Sequence, residues 1–109
     1  MKSYEHVAYL LMAMLKEGGK ARFRLSRKSL QLISGRDVIK AALIRNIAEW
    51  MEGVAVILPL NRGGYVVISQ ESLEGIAAAK IGEVIPDWRT LDVDELRTRV
   101  DPGTDEEEE

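Results

Sequence analysis

Cysteine is missing altogether from this 109-residue chain. That absence removes disulfides, thiolate metal sites and cysteine nucleophiles together. Histidine occurs once, at His6, with only Glu5 near it as a second ligand type. Metal-ligand spacing is therefore lacking, and His6 is expected at the surface or at a boundary rather than on a metal. No catalytic constellation can be assembled from the remainder. The carboxylates do not pair in a recognisable setting, and Ser26, Ser29, Ser34, Ser69 and Ser72 all have cap or turn roles open to them. Neither an enzyme nor a bound cofactor or metal is expected. No apolar run approaches the ~20 residues that span a bilayer. The first residues also lack the charged leader, unbroken apolar stretch and small-residue cleavage site of a secretory signal. The expectation is a cytoplasmic protein without a membrane partner.

What is present is ordinary in amount and uneven in placement. With 46% hydrophobic and 30% charged residues, the composition is that of a globular protein, with one domain expected over residues 1–100. The net charge of −3 averages two unlike parts. From Asp101 onward there are six acids and no base, whereas the first hundred residues carry 15 bases and 12 acids. Between Lys20 and Arg45 the bases are Lys20, Arg22, Arg24, Arg27, Lys28, Arg36, Lys40 and Arg45, opposed by Asp37 alone. Residues 101–109 are too charged and too poor in apolar groups to order themselves. They are expected to be a disordered acidic tail that keeps the chain soluble, or one that competes with a polyanion for the basic region.

Read in order, Ser3 can cap an amphipathic helix over residues 3–17 with Val7, Leu10, Leu11, Met14 and Leu15 on its apolar face, ended by Gly18-Gly19. Ala21 to Leu25 alternates strictly, with Phe23 and Leu25 to one side and Arg22 and Arg24 to the other, the period of a half-buried strand. Those two arginines are either a solvated edge that discourages aggregation or contacts for phosphate. Ser26 should cap a short helix from Arg27 to Ser34, with Leu30, Ile33 and Leu32 inward. Arg27, Lys28 and Ser29 in its first turn oppose the helix dipole, which suggests that these bases have another use.

After a turn at Gly35, a long helix is expected from Asp37 to Glu52. Taking Ile39, Leu43, Ile47 and Trp50 as its buried stripe leaves Arg36, Lys40, Ala41, Ile44 and Arg45 as outward candidates. Gly53 closes that helix. A β-hairpin follows, with arms Val54 to Leu60 and Tyr65 to Ser69, turned by Asn61-Arg62-Gly63-Gly64 with Arg62 at the tip. Beyond it, a short helix from Glu71 to Lys80, capped by Ser69, should place Leu73, Ile76 and Ala77 inward. An extended piece from Glu83 to Trp88 and a last helix from Asp92 to Val100 complete the chain, with Trp88 and Leu91 covering apolar surface.

A short helix, a tight turn, a longer helix and a two-stranded hairpin, in that order over Ala21 to Ser69, resemble the winged helix-turn-helix domain. The resemblance lies in element order and covers nearly half of the chain. It implies an α+β fold, a three-helix core with a β-hairpin wing plus flanking N- and C-terminal helices. It also implies sequence-specific binding of double-stranded DNA by a small transcriptional regulator. The helix at 37–52 would enter the major groove, while the basic strand, the helix at 27–34 and the wing would meet the backbone. The DNA-binding candidates are then Arg22, Arg24, Arg27, Lys28, Ser29, Arg36, Lys40, Ala41, Ile44, Arg45 and Arg62. Arginine or lysine can pair with guanine edges, and alanine or isoleucine can meet a thymine methyl. By analogy with that family a homodimer is expected, joined through the first helix or the segment after Ser69.

Two alternatives use the same residues. In ribbon-helix-helix proteins a strand ahead of two helices pairs with its dimer mate and reads bases, which here would fall to Lys20, Arg22 and Arg24. A non-catalytic protein–protein interaction module on a winged-helix scaffold would use the apolar arm Val54 to Leu58 and the acidic tail.

Overall fold

Alternation and capping account for most of the architecture. The computed structural model describes residues 1–102. The expected acidic tail therefore lies, from residue 103 onward, outside the described residues. The chain divides into two compact units, Met1–Ile76 and Ala77–Glu109, and the division falls inside the helix expected from Glu71 to Lys80.

The first unit opens with α1 (Tyr4–Gly18). Ser3 caps it by accepting a hydrogen bond from the His6 N–H, and Gly19 closes it at φ 64°. Val7, Ala8, Leu11 and Leu15 are its buried face. Met14, placed on that face by the sequence pattern, is exposed. His6 is exposed as well. Next come β1 (Arg22–Leu25), α2 (Arg27–Ser34), α3 (Ala41–Met51), β2 (Ala55–Pro59), β3 (Tyr65–Ser69) and the one-turn α4 (Gln70–Glu74). The strands form one antiparallel sheet in the order β1-β3-β2, so β1 is held by the returning arm of the hairpin. In register, Phe23 and Ile57 flank Val67 on the inner face. Arg24 and Leu58 flank Val66 on the outer one. The architecture is thus α+β, with a small three-stranded antiparallel sheet.

A single core joins α1, α2, α3 and the inner sheet face. Val7, Leu11, Leu30, Ile47, Met51 and Val67 are its largest fully buried apolar side chains. Each such side chain contributes roughly 1.5–3 kcal/mol when taken out of water.

Three details of the helix pair differ from expectation. First, α3 begins at Ala41 rather than Asp37, because residues 36–40 form a connector. Within it the Gln31 side-chain amide donates to the Asp37 carbonyl, Ile39 is buried as an anchor, and Lys40 takes the cap position in extended backbone. Secondly, Met51 and not Trp50 completes the buried stripe of α3, with Trp50 50% exposed. Ile44 and Ala48 also pack on the core, which shifts the centre of the buried face toward Met51 and away from Trp50. Thirdly, Leu32 is 72% exposed, since Leu30 and Ser34, four residues apart, already define the inward side of α2.

Gly35 ends α2 at φ 70°, and a Cβ there would lie 3.1 Å from the Met1 Cα. The close approach arises because the Lys2 N–H donates to the Ser34 carbonyl at 3.0 Å. The Arg36 guanidinium seals the corner, donating to the Lys2 carbonyl at 2.9 Å and lying 5.2 Å above the Tyr4 ring.

After the sheet, Ser69 caps α4 as expected, but the helix stops at Glu74 and Ile76 is exposed. Glycine at position 75 is a poor helix former, and the chain leaves α4 there. In the second unit, the residues expected to be extended instead include a short helix, α5 (Ile81–Val84), followed by turns. The last helix, α6 (Val93–Val100), is capped by Asp92, as its sequence indicates. Trp88 is 40% exposed under the Arg89 guanidinium, and Leu91 is half-buried. Arg99 donates to Asp87 at 2.8 Å, which holds the Asp87 carboxyl below its ordinary value of 3.8.

Candidate nucleic-acid interface

The basic side chains of residues 20–45, together with Arg62 of the hairpin loop, separate into groups once the chain is folded. The largest group lines a cleft of about 600 Å³ between the start of α2 and the hairpin loop. Its walls are Arg24, Ser26, Arg27, Lys28 and Arg62 with the Gly63–Gly64 backbone. Four cations therefore face one depression, and no carboxylate lines it. All four are exposed.

Local sequence explains why they meet. Strand alternation turns Arg24 outward at the end of β1, one residue before buried Leu25. Ser26 then starts α2 at once, its Oγ accepting from the Ser29 N–H at 3.0 Å and donating to the Ser29 Oγ at the same distance. That cap fixes Arg27 and Lys28 in the first turn, beside the strand end. The hairpin loop is drawn to the same place by Gly64, which sits at φ 84°. A Cβ there would come within 3.0 Å of the Leu25 carbonyl, so only glycine allows the loop this close. The Arg24 guanidinium braces it, donating to the Gly63 carbonyl at 3.4 Å. Among the described residues the ion pairs are Arg97–Asp94 and Arg99–Asp87, both in the second unit, so none of the four cleft bases is neutralised by an acid.

Lys28 also borders a second depression with Gln31, Leu32, Gly35, Arg36 and Asp37. Arg36 contributes little free charge there, because its guanidinium is engaged by the Lys2 and Ser34 carbonyls and by Tyr4. Lys40, Ala41 and Arg45 gather elsewhere, around a groove between the first half of α3 and the loop end of the hairpin, with Tyr65 and Pro59 opposite. Ile44, expected to point outward, is instead half-buried and packs on the core while forming the floor of that groove. The remaining bases stand apart. Arg22 projects from the outer sheet face opposite Ile68, and Lys20 lies near Met12, Leu15 and Lys16.

Of the sequence candidates, Arg24, Arg27, Lys28 and Arg62 come together, and Ser29 is bonded to Ser26 of the cleft wall. Lys40, Ala41 and Arg45 form a second set. Arg22 and Arg36 join neither. Ser26, Gly63 and Gly64 shape the first cleft and were not among the candidates. The serine cap and the Gly-Gly turn were visible in the sequence, but only as elements of structure. Unpaired guanidinium and ammonium groups beside a helix start, with backbone able to approach closely, can hold successive phosphate oxygens. Among the described residues, no cluster of three or more histidine or acidic side chains could hold a metal ion, and no helix is long and apolar enough to cross a membrane. No family model, no curated protein and no solved structure matches the chain.

Proposed function

We propose that this protein binds double-stranded DNA in the manner of a winged helix and serves as a small transcriptional regulator. The convergence of Arg24, Arg27, Lys28 and Arg62 on one cleft without a carboxylate carries this proposal. In such a complex the start of α2 and the loop at Arg62 grip the phosphate backbone, and the exposed first half of α3 enters the major groove. Lys40 and Ala41 then meet base edges, a good side-chain pair giving roughly 1–3 kcal/mol of discrimination. Element order supports the winged arrangement, as does the pairing of β1 with β3 in a three-stranded sheet. The ribbon-helix-helix alternative requires that strand to pair with a dimer mate, whereas here it pairs within its own chain.

The acidic second half of α3 fits the same division of labour. Glu49 and the cap residue Glu52 are exposed at that end, so only the Ala41–Arg45 end suits a polyanion. Fluorescence anisotropy with a labelled random duplex tests the proposal. Micromolar or tighter binding that weakens steeply with salt is expected, and lack of binding at low salt refutes it.

A further inference from the structure

We infer that the free edge of β2 is a dimer interface, where a second copy of this chain adds its own β2 antiparallel across a two-fold axis.

The two edges of the sheet are built differently. The β1 edge carries Arg22 and Arg24, a usual protection against strand-to-strand pairing. The β2 edge, Ala55-Val56-Ile57-Leu58-Pro59, has no charged residue. Its hydrogen-bonding pattern follows from its two ends. The Leu60 N–H donates to the Gly64 carbonyl at 3.0 Å, and the Gln70 N–H donates to the Val54 carbonyl at 2.9 Å. Antiparallel ladders alternate, so Val54, Val56, Leu58 and Leu60 turn their backbone groups toward β3. Ala55, Ile57 and Pro59 turn theirs away from β3, toward the groove beside α3, where Ala55 and Ile57 are 4% and 5% exposed. Among the described residues nothing outside the sheet bonds the Ala55 or Ile57 backbone.

The open side is a groove of about 400 Å³, walled by β2 and by Arg45, Ala48, Glu49 and Glu52 of the α3 side. Three properties fit that groove to a copy of itself. With the axis at Val56, Ala55 exchanges both of its backbone bonds with Ile57 of the partner subunit, and the reverse, so every edge N–H is satisfied. Pro59, which lacks an N–H, falls just past the ladder, where proline is tolerated. The same register sets Leu58, 44% exposed, opposite Val54 of the partner subunit, and Val54 is 55% exposed in the free chain. Finally, Arg45, Glu49 and Glu52 form one stripe along the helix, basic at one end and acidic at the other. A two-fold axis reverses the stripe and brings each Arg45 to the acidic end of its partner, as a self-complementary interface requires. This interface stands whether or not the protein binds DNA. It assigns Arg45 to the dimer and leaves Lys40 and Ala41 as the freer groove contacts.

Sedimentation equilibrium and amide hydrogen exchange on the full chain test the inference. A dimer is expected in which the Ala55 and Ile57 amides slow as protein concentration rises, while the Val56 and Leu58 amides, already bonded to β3, do not change. Arg45→Glu, and separately the double variant Glu49→Arg/Glu52→Arg, should each weaken the dimer at least about tenfold at low salt, since each makes the stripe repel itself. An equimolar mixture of the two variants should restore a heterodimer. A chain still monomeric at about 1 mM, the ceiling of weak association, overturns the inference. So does a dimer whose Ala55 and Ile57 amides exchange independently of concentration, or one unaffected by either charge reversal. Loss of DNA binding by Arg45→Glu with an unchanged dimer would leave Arg45 in the DNA site and remove this interface.

Discussion

On the DNA-binding function proposed above, neutralising the cleft between α2 and the hairpin loop should flatten the salt dependence of binding by a calculable amount. Four bases line it, none paired with an acid. Each phosphate neutralised on a duplex releases about 0.9 counterions, so four contacts set a slope of about −3.6 in log affinity against log salt. Over a fourfold rise from about 50 to about 200 mM salt, that slope alone removes roughly 150-fold in affinity. The variant Arg24→Ala/Arg27→Ala/Lys28→Ala/Arg62→Ala should lose most of this slope, and each single variant about 0.9 of it. All four side chains are exposed and the variant removes only the Arg24 bond to the Gly63 carbonyl, so circular dichroism should report an intact fold. The assay is fluorescence anisotropy of a labelled duplex across a potassium chloride series. Lys20→Ala is the matched control, because Lys20 lies beside Met12 and Leu15, outside the cleft, and should barely change the slope. A quadruple variant whose slope stays within about one unit of the parent, the size of a single contact, would refute the assignment of phosphates to this cleft.

Other outcomes follow from single features. Gly64→Ala forces a side chain into a left-handed backbone 3.0 Å from the Leu25 carbonyl. It should cost roughly 1–3 kcal/mol in urea denaturation and weaken DNA binding, since it displaces the loop that carries Arg62. Ile47→Ala empties a fully buried core position and should cost about 2–5 kcal/mol in the same measurement. Arg99→Ala removes the hydrogen bond that depresses Asp87, so the Asp87 carboxyl should rise toward 3.8 in an NMR titration. In the parent chain the Arg99–Asp87 contact is fully formed above that ordinary value and is lost as pH falls through the lowered one. Deleting residues 101–109 removes six acids. If the tail competes with DNA, deletion should tighten binding at low salt and have little effect at high salt. Equal affinity with and without the tail at low salt would eliminate that competition.

The parts of this molecule that the sequence made legible are those fixed by neighbouring residues. Ser3, Ser26, Ser69 and Asp92 announce helix starts because a cap bonds to a backbone N–H within its own first turn. Strand β1 is legible because Arg22-Phe23-Arg24-Leu25 alternates, and the hairpin because Asn61-Arg62-Gly63-Gly64 interrupts two β-branched runs. What misled was the helix after Gly35. Counting from Asp37 treats residues 36–40 as helical, yet a tertiary bond from Gln31 to the Asp37 carbonyl and the burial of Ile39 hold them in a connector. Neither cause is local to the segment. The same displacement moved Arg36 out of the candidate groove and onto Tyr4.

The cleft shows the same limit from the other side. Charge density between Lys20 and Arg45 and the hairpin tip at Arg62 identified the bases, but not which of them would share a surface. That is decided by the register of β1 on β3, which puts Leu25 beside Tyr65 and so brings the Gly64 turn onto the start of α2. A one-residue slip in that pairing would turn Arg24 inward and separate it from Arg62. The buried faces of Leu25, Tyr65 and Val67 hold the register against such a slip. The apolar core therefore determines how many positive charges meet at the surface, and core substitutions that loosen β1 from β3 should lower the salt slope without removing a single base.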